Sequence, residues 1–554
     1  MKLHKLFAIN ALTASLIACG GGDIKIDASN NNPSSSPITS SSSSSSSSSA
    51  PIADASHCAS YEMNGQTFKG LPDGNNCFYP SSFASTNREI TTDVTFKGLP
   101  NGGVHVLSGS LFIGADIDAS KAAAGTTVLK GGEGAKLILD AGAKLAFEKP
   151  EDYLRIARGS QIFANGTQNN PVIISAAKDL IDNAATENDR GLWGGVQILG
   201  NGLTNKCEDA TNCHLTSEGQ PGTYGGNDNT ESSGSMTYLV VKHAGYEVVD
   251  GNELNGITFY SVGSGTIVEN VQVYTTKDDG FEMFGGAVNL KRVVAVNVGD
   301  DSYDFADGWV GNIQFALAVQ TSGSNRCIEA DNTGEGRADN IEPLTFGRIA
   351  NHTCITSGEK QGEGSEPSGK GDAEGPLFRE GVQFALYNSI VTSSRPDQFS
   401  HECFDIEDSE GPETIKFINN GISVAEGNLI ACSEATKQKA HADNTGFNTK
   451  TWLTQGGKNI VIDSSVTGAL PVISIKDLAT NPRAYITASQ FEDANKNPLT
   501  VNVFDVTQLS ENIDTKNPAV AGTNTFFEAV DFIGAVKEGD DWTQGWTVGL
   551  SQAQ

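Results

Sequence analysis

Short apolar segments separated by Gly, Asn and Asp dominate the chain from about Lys136 onward. Leu137-Ile138-Leu139, Leu154-Arg155-Ile156-Ala157 and Gln161-Ile162-Phe163 follow one another too closely for helices to cross between them, which predicts successive β-strands. In the centre the pattern acquires a period. Val268 to Val273 aligns with Leu290 to Ala295, Asp279 to Met283 with Asp301 to Phe305, and Gly286 with Gly308, all at a spacing of 22 residues. That length fits one solenoid rung of short strands and turns, stacked so that neighbouring rungs share an apolar interior. Alternation within the strands sends Phe281, Met283, Tyr303 and Phe305 to one face and Glu282 with Asp304 to the other. The first set reads as core filling, and Asn270 and Asn297 read as turn residues supporting local backbone bonds.

The theme continues more loosely through Ile313 to Val319, Val382 to Tyr387 and Ile415 to Ile418. Polar, Gly-rich stretches at 203–234 and 355–376 read as loop inserts. The expected organisation is an N-terminal region at 51–135, serving as early rungs or a cap, a body at 136–465, and a β-rich C-terminal cap at 466–554. Caps are expected because a solenoid end exposes an unpaired strand edge.

Gly166 to Ser175 and Gly191 to Ile198 resemble the opening coils of right-handed parallel β-helix proteins. The resemblance implies an all-β fold: a right-handed, single-stranded parallel β-helix with capping regions and long loop inserts. Phe532 to Trp546 is similar to the C-termini of uncharacterised bacterial surface lipoproteins that share a β-helix body. At the level of fold this likeness carries no activity with it.

The first fifty residues have a different character. Lys2 and Lys5 precede the apolar stretch Leu6 to Ile17, too short to span a bilayer, which ends at Leu16-Ile17-Ala18-Cys19. These residues resemble the signal peptide and lipobox of bacterial lipoproteins. The resemblance implies removal of residues 1–18 and acylation of Cys19, and Gly20 is similar to the outer-membrane-destined pattern of Gram-negative lipoproteins. Residues 19–50, with an unbroken serine run from Ser40 to Ser49, read as a flexible tether. The expected location is the outer membrane, lipid-anchored, with the folded part at the cell surface.

Charge and cysteine content narrow the picture. The 554 residues include 37 Lys and Arg against 67 Asp and Glu, a net charge of -30, which argues against nucleic acid as a partner. Charged residues are only 19% and Gly occurs at 62 positions, a balance that suits turn-rich β structure over helical bundles. With Cys19 assigned to lipid, eight of the nine cysteines remain. In an exported chain the simplest arrangement pairs them sequentially as Cys58–Cys77, Cys207–Cys213, Cys327–Cys354 and Cys403–Cys432.

The candidate chemistry is acidic. Asp278, Asp279 and Glu282 recur one rung later as Asp300, Asp301 and Asp304, with Asp307 nearby. Stacked carboxylates repel unless protonated or neutralised, and a hard cation such as Ca²⁺ would satisfy several of their oxygens. The alternative is a solvated acidic face, or Asp side chains capping turn amides. A second group, Arg395, Asp397, His401 and Asp405 with neighbouring Glu402 and Asp408, contains an Arg395-Pro396 pair that resembles pectate-lyase-like proteins, although the second basic residue of that pattern is missing. The resemblance implies a polysaccharide lyase or hydrolase. Trp193, Trp309, Trp452, Trp542 and Trp546 are either sugar platforms or packing residues.

The reading that unites these features is a surface binding, adhesion or scaffold lipoprotein without catalytic activity, its partner a glycan, an envelope protein or another copy of the chain. A calcium-dependent polysaccharide lyase or glycoside hydrolase is the alternative, and a structural subunit of a surface filament or layer is a further one.

Overall fold

The computed structural model describes residues 57–550 apart from 220–221, 250–251, 322, 335–336, 358–372, 394–401, 409–410, 464–487, 493–494, 496 and 510–525. Two large sheets, of 18 and 11 strands, run through the described residues, and their strands pair in parallel except for the N-terminal hairpin Leu71–Asp73 with Asn76–Tyr79. Rungs climb through both sheets in turn. Ile267–Thr276 of the long sheet pairs with Asn289–Val298, and Phe281–Phe284 of the short sheet pairs with Tyr303–Ala306. Val268 lies opposite Leu290 and Phe281 opposite Tyr303, the register that the repeat predicted.

Backbone conformation explains how one long strand supplies two legs of a rung. Within the long strands, Tyr238, Asn270, Arg292, Phe315 and Asn351 have φ between 47° and 61°, in the left-handed region, and the pairing skips each of them. One such residue turns the chain without breaking the sheet. Asn suits the conformation, whereas Arg292 and Phe315 adopt it at a cost of about 1 kcal/mol or more that the flanking pairings offset. Thr275 and Asn297 repeat the device one turn later with φ of 58° and 59°, where the Asn297 amide donates to Thr275 Oγ1 at 2.9 Å.

The apolar interior follows from alternation. Phe281, Met283, Tyr303 and Phe305 are buried inside, facing Val271, Val273, Val293 and Ala295 of the long sheet. Trp193 and Trp309 belong to the same interior, the first stacked on Phe147 and the second tilted against Phe305, each with ring centroids 4.8 Å apart. All four sequential disulfides are present: Cys58–Cys77, Cys207–Cys213, Cys327–Cys354 and Cys403–Cys432.

The N-terminal region joins the sheets directly, for Asn76–Tyr79 pairs with His105–Leu107 and Leu111–Ile113 with Leu154–Ile156. One expected strand is a helix instead: Ile415 to Ile418 lies within the helix Glu413–Asn419. Its apolar residues Ile415 and Ile418, spaced three apart, both face the core, the spacing of a helix and not of a strand. The described residues after 487 run as turns, short 3-10 segments and isolated bridges along the outer side of the long sheet. Ile533, Ala535, Val536, Trp546 and Leu550 cover Val240, Val294, Val296, Leu317 and Val319 there.

Amide side chains from several rungs fasten this C-terminal strap. Gln272 donates to the Val548 carbonyl at 2.7 Å and accepts from its N–H at 2.8 Å. Gln314 makes the same two bonds with Glu528, at 3.0 and 2.8 Å, and Asn388 does so with Phe504 at 2.8 Å each.

Candidate functional site

The strands of the short sheet carry their polar residues on the face opposite the core, and parallel pairing stacks those residues into columns. Thr258, Glu282, Asp304 and Glu329 form one column, which continues through Leu377 and Asp405 to Lys437. Beside it the residues at the preceding turn form a ladder. Asn255 Oδ1 accepts the Asp279 N–H at 3.0 Å, Asp279 Oδ1 accepts the Asp301 N–H at 2.9 Å, and Asp301 Oδ1 accepts the Arg326 N–H at 2.6 Å. Each side chain thereby satisfies a backbone donor of the next rung.

The two columns bring most of the sequence-predicted carboxylates together. Oxygens of Asp278, Asp279 and Asp300 approach within 4.8 Å of one another, as do those of Asp279, Glu282 and Asp304. Burial pushes the carboxyls of Asp279, Glu282, Asp301 and Asp304 well above the ordinary range, and their mutual repulsion pushes them further. Asp279 feels Asp278, Asp304 and Asp300; Asp304 feels Glu329, Asp301 and Asp331, with Arg379 opposing them. Among the described residues no Lys or Arg forms an ion pair with Asp279, Glu282 or Asp304, and Asn255 donates its amide to Glu282. The converging oxygens of Asp279, Glu282 and Asp304, none in an ion pair with Lys or Arg among the described residues, have the donor chemistry of a hard divalent cation, and loading them would displace the protons that burial otherwise retains.

Asp307 stands apart from this group. It has a φ of 58° and pairs with Lys206 of the insert at 203–234 at 2.6 Å and with Arg337 at 3.7 Å. The insert also brings Tyr224 onto Tyr260, which stacks on Phe284, so aromatic rings border the acidic columns on that side.

Towards the C-terminal rungs the strip changes sign repeatedly. Arg326 pairs with Glu374 and lies 3.8 Å from Asp405, while Lys437 lies 3.8 Å from Asp405 and 4.0 Å from both Glu374 and Glu402. Burial and a hydrogen bond shared with Glu402 push Glu374 up to about 9. Burial raises Glu402 too, but the Glu374 bond and Lys437 outweigh it and leave that carboxyl below its ordinary value. Asp405, driven by burial against Arg326 and Lys437, is pushed up to about 6. Two coupled carboxyls with protonation pushed apart are the raw material of acid–base chemistry.

Of the second sequence-predicted group, Asp405 falls in this cluster, whereas Arg395, Asp397 and His401 lie outside the described residues, as does Cys19. Glu329, Arg326, Glu374, Arg379 and Lys437 join the strip without having been singled out from sequence; extending the columns beyond the regular repeat was the available signal. Cys327, His352 and Cys354 also lie close together, but both sulfurs are consumed in a disulfide, which removes the thiolates a metal needs. Trp193 and Trp309 are wholly buried, and Trp452 packs against Phe384, Phe404 and Phe447.

No curated protein and no solved structure matches the chain. The family model described as the pectate-lyase like beta helix domain matches residues 117–454, a span that holds both columns of the strip and the stacked rungs beneath them. With more than half of its length matched, and with its two large sheets built of parallel strands, the chain belongs to the family of pectate-lyase-like β-helix domains.

Proposed function

We propose that the protein is a non-catalytic binding and adhesion lipoprotein, held at the outer membrane by acyl groups on Cys19 and displayed at the cell surface on its serine-rich tether. In this reading the body is a closed right-handed β-helix and the outer face of its short sheet is the binding face. The observation that carries the reading is the convergence of Glu282 and Asp304 with Asp279, in register on neighbouring strands. Calcium held there would present positive charge to a glycan, an envelope protein or a second copy of the chain, which a surface of net charge -30 otherwise repels. A rigid solenoid supplies the preorganisation that such a surface needs.

Calorimetric titration of the whole chain with Ca²⁺, together with fractionation and surface proteolysis of cells, tests the proposal. Saturable binding abolished by Glu282→Gln with Asp304→Asn, and loss of membrane association in Cys19→Ala, support it. Absence of Ca²⁺ binding, or a Cys19→Ala chain that stays membrane-bound, counts against it.

The coupled pair Glu374 and Glu402 favours a second reading, a hydrolase or lyase acting on polysaccharide, with Glu374 as the proton donor, Glu402 as the base and Lys437 and Arg326 holding the substrate's charge. Shortening of acidic or neutral glycan chains, abolished by Glu402→Gln and by Asp405→Asn, would establish it; intact glycans after prolonged incubation would exclude it.

A further inference from the structure

Between the C-terminal strap and the long sheet lies a cavity of about 540 Å³, on a different sheet from the strands that carry Glu282 and Asp304. Three aromatic residues line it, Phe315 buried and Phe532 and Trp542 partly exposed. Phe315 stacks on Phe532 with ring centroids 6.1 Å apart and carries the Arg292 guanidinium 5.1 Å over its ring, and Trp542 is oriented by a 2.8 Å hydrogen bond from its indole N–H to the Ala535 carbonyl. The remaining lining is charged but internally balanced. Arg292 is divided between Glu269 and Glu528, and Lys537 donates to Asp531 at 2.6 Å while lying 5.7 Å above the Phe532 ring. Asp540, exposed on the rim, leaves a slight excess of negative charge over the whole.

This combination selects among ligands. An anionic ligand would have to detach Arg292 or Lys537 from carboxylates already in place, and it would meet Asp540 as well. An apolar ligand would bury the fixed ion pairs without hydrogen bonds to replace their water. A neutral sugar avoids both costs, since a C–H face lies against the partly exposed Trp542 ring while its hydroxyls bond to carboxylates and N–H groups at the edges. The volume falls within the range of small-molecule sites and accepts a few pyranose units. We infer that the cavity between Phe315, Phe532 and Trp542 is a binding site for a short neutral oligosaccharide, distinct from the acidic strip and independent of it.

Tryptophan fluorescence and calorimetry of the full chain, titrated with maltohexaose, cellohexaose, mannohexaose and laminarihexaose, test the inference, with a galacturonate hexamer and choline as the charged probes. The expected result is saturable binding of at least one neutral hexaose, accompanied by a change in tryptophan emission. Trp542→Ala should weaken it by about tenfold or more, and Asp540→Ala, at an exposed rim position that the fold does not need, by about threefold. Chelator should leave the affinity unchanged, which separates this site from a cation-dependent one. The inference is overturned if no neutral hexaose saturates, if galacturonate or choline binds more tightly, or if Asp540→Ala and folded Trp542→Ala bind the sugar as the native chain does.

Discussion

Glu282 lies directly opposite Asp304 on adjacent parallel strands, so two acidic side chains share one outward column above the stacked pair Phe281 and Tyr303. The pairing is imposed by the core, because a slip of one residue that separated the carboxyls would also turn the aromatic rings out of the interior. Their folded-state pKa values are raised above the unfolded ones, first by burial and then by neighbouring carboxyls. A raised carboxyl weakens the fold at neutral pH and ceases to do so as pH falls towards the unfolded value. Calcium should therefore raise Tm at pH 7.5 by several degrees, raise it much less at pH 5, and release protons on binding in proportion. The Glu282→Gln, Asp304→Asn double variant should be more stable than the native chain without calcium and indifferent to the ion, which thermal scans at both pH values will show.

Two histidines give the opposite pH dependence. His105 is buried between the Tyr79 hydroxyl and the Lys97 carbonyl, each 2.8 Å from a ring nitrogen, and burial pushes it down to about 4. His352, with Nδ1 3.0 Å from the Ala316 carbonyl and its ring edge-on to Tyr303, is likewise pushed down to about 4. A histidine with a folded pKa below the unfolded value contributes stability above about pH 6.5 that is lost as pH falls towards 4. Each accounts for a loss on the order of 3 kcal/mol across that window. The stability gap between the native chain and His352→Gln, measured by urea denaturation, should narrow steadily from pH 7 to pH 4.5.

The buried hydroxyl of Tyr303 lies 3.0 Å from both the Val293 and the Leu317 carbonyls, and it donates to one of them at a time. Tyr303→Phe keeps the ring on Phe281 and removes only this bond, so its cost should be about 1 kcal/mol. Phe281→Ala removes the stack and opens a cavity in the same place, at about 3–5 kcal/mol. Denaturant midpoints for the two variants should differ accordingly, with the same m-value.

The rungs from Val268 to Phe305 were legible because no residue is inserted between them, so the 22-residue spacing survives intact and places Glu282 over Asp304. The step from Asp304 to Glu329 is longer, and the next, to Leu377, crosses an insert; the column continues in space while its period vanishes from the sequence. Glu374 and Arg326 were hidden for that reason. Asp279 and Asp301 accept backbone N–H groups of the next rung, the capping of turn amides that the sequence offered as the alternative to a cation site. The segment Ile415 to Ile418, inside the helix Glu413–Asn419, is mistaken for a strand because four residues carry too little periodicity to distinguish the two. Polar amides inside apolar strands, such as Gln272 and Gln314, were the unread signal for the strap.

That strap yields the last prediction. The Gln314 amide satisfies both the N–H and the carbonyl of Glu528 at a position where the long sheet is buried. Gln314→Leu is close to isosteric, so the sheet keeps its packing, yet two backbone groups of the strap lose their partners. Leaving them unmade should cost about 1–3 kcal/mol, concentrated on the strap because the rungs beneath retain their own ladder. Hydrogen exchange should consequently accelerate across residues 526–550 while the strands Asn289–Val298 and Asn312–Val319 stay protected. Uniform acceleration through both regions would mean that strap and sheet unfold together. Unchanged exchange would mean that the Ile533, Val536 and Trp546 contacts hold the strap without help from the amide.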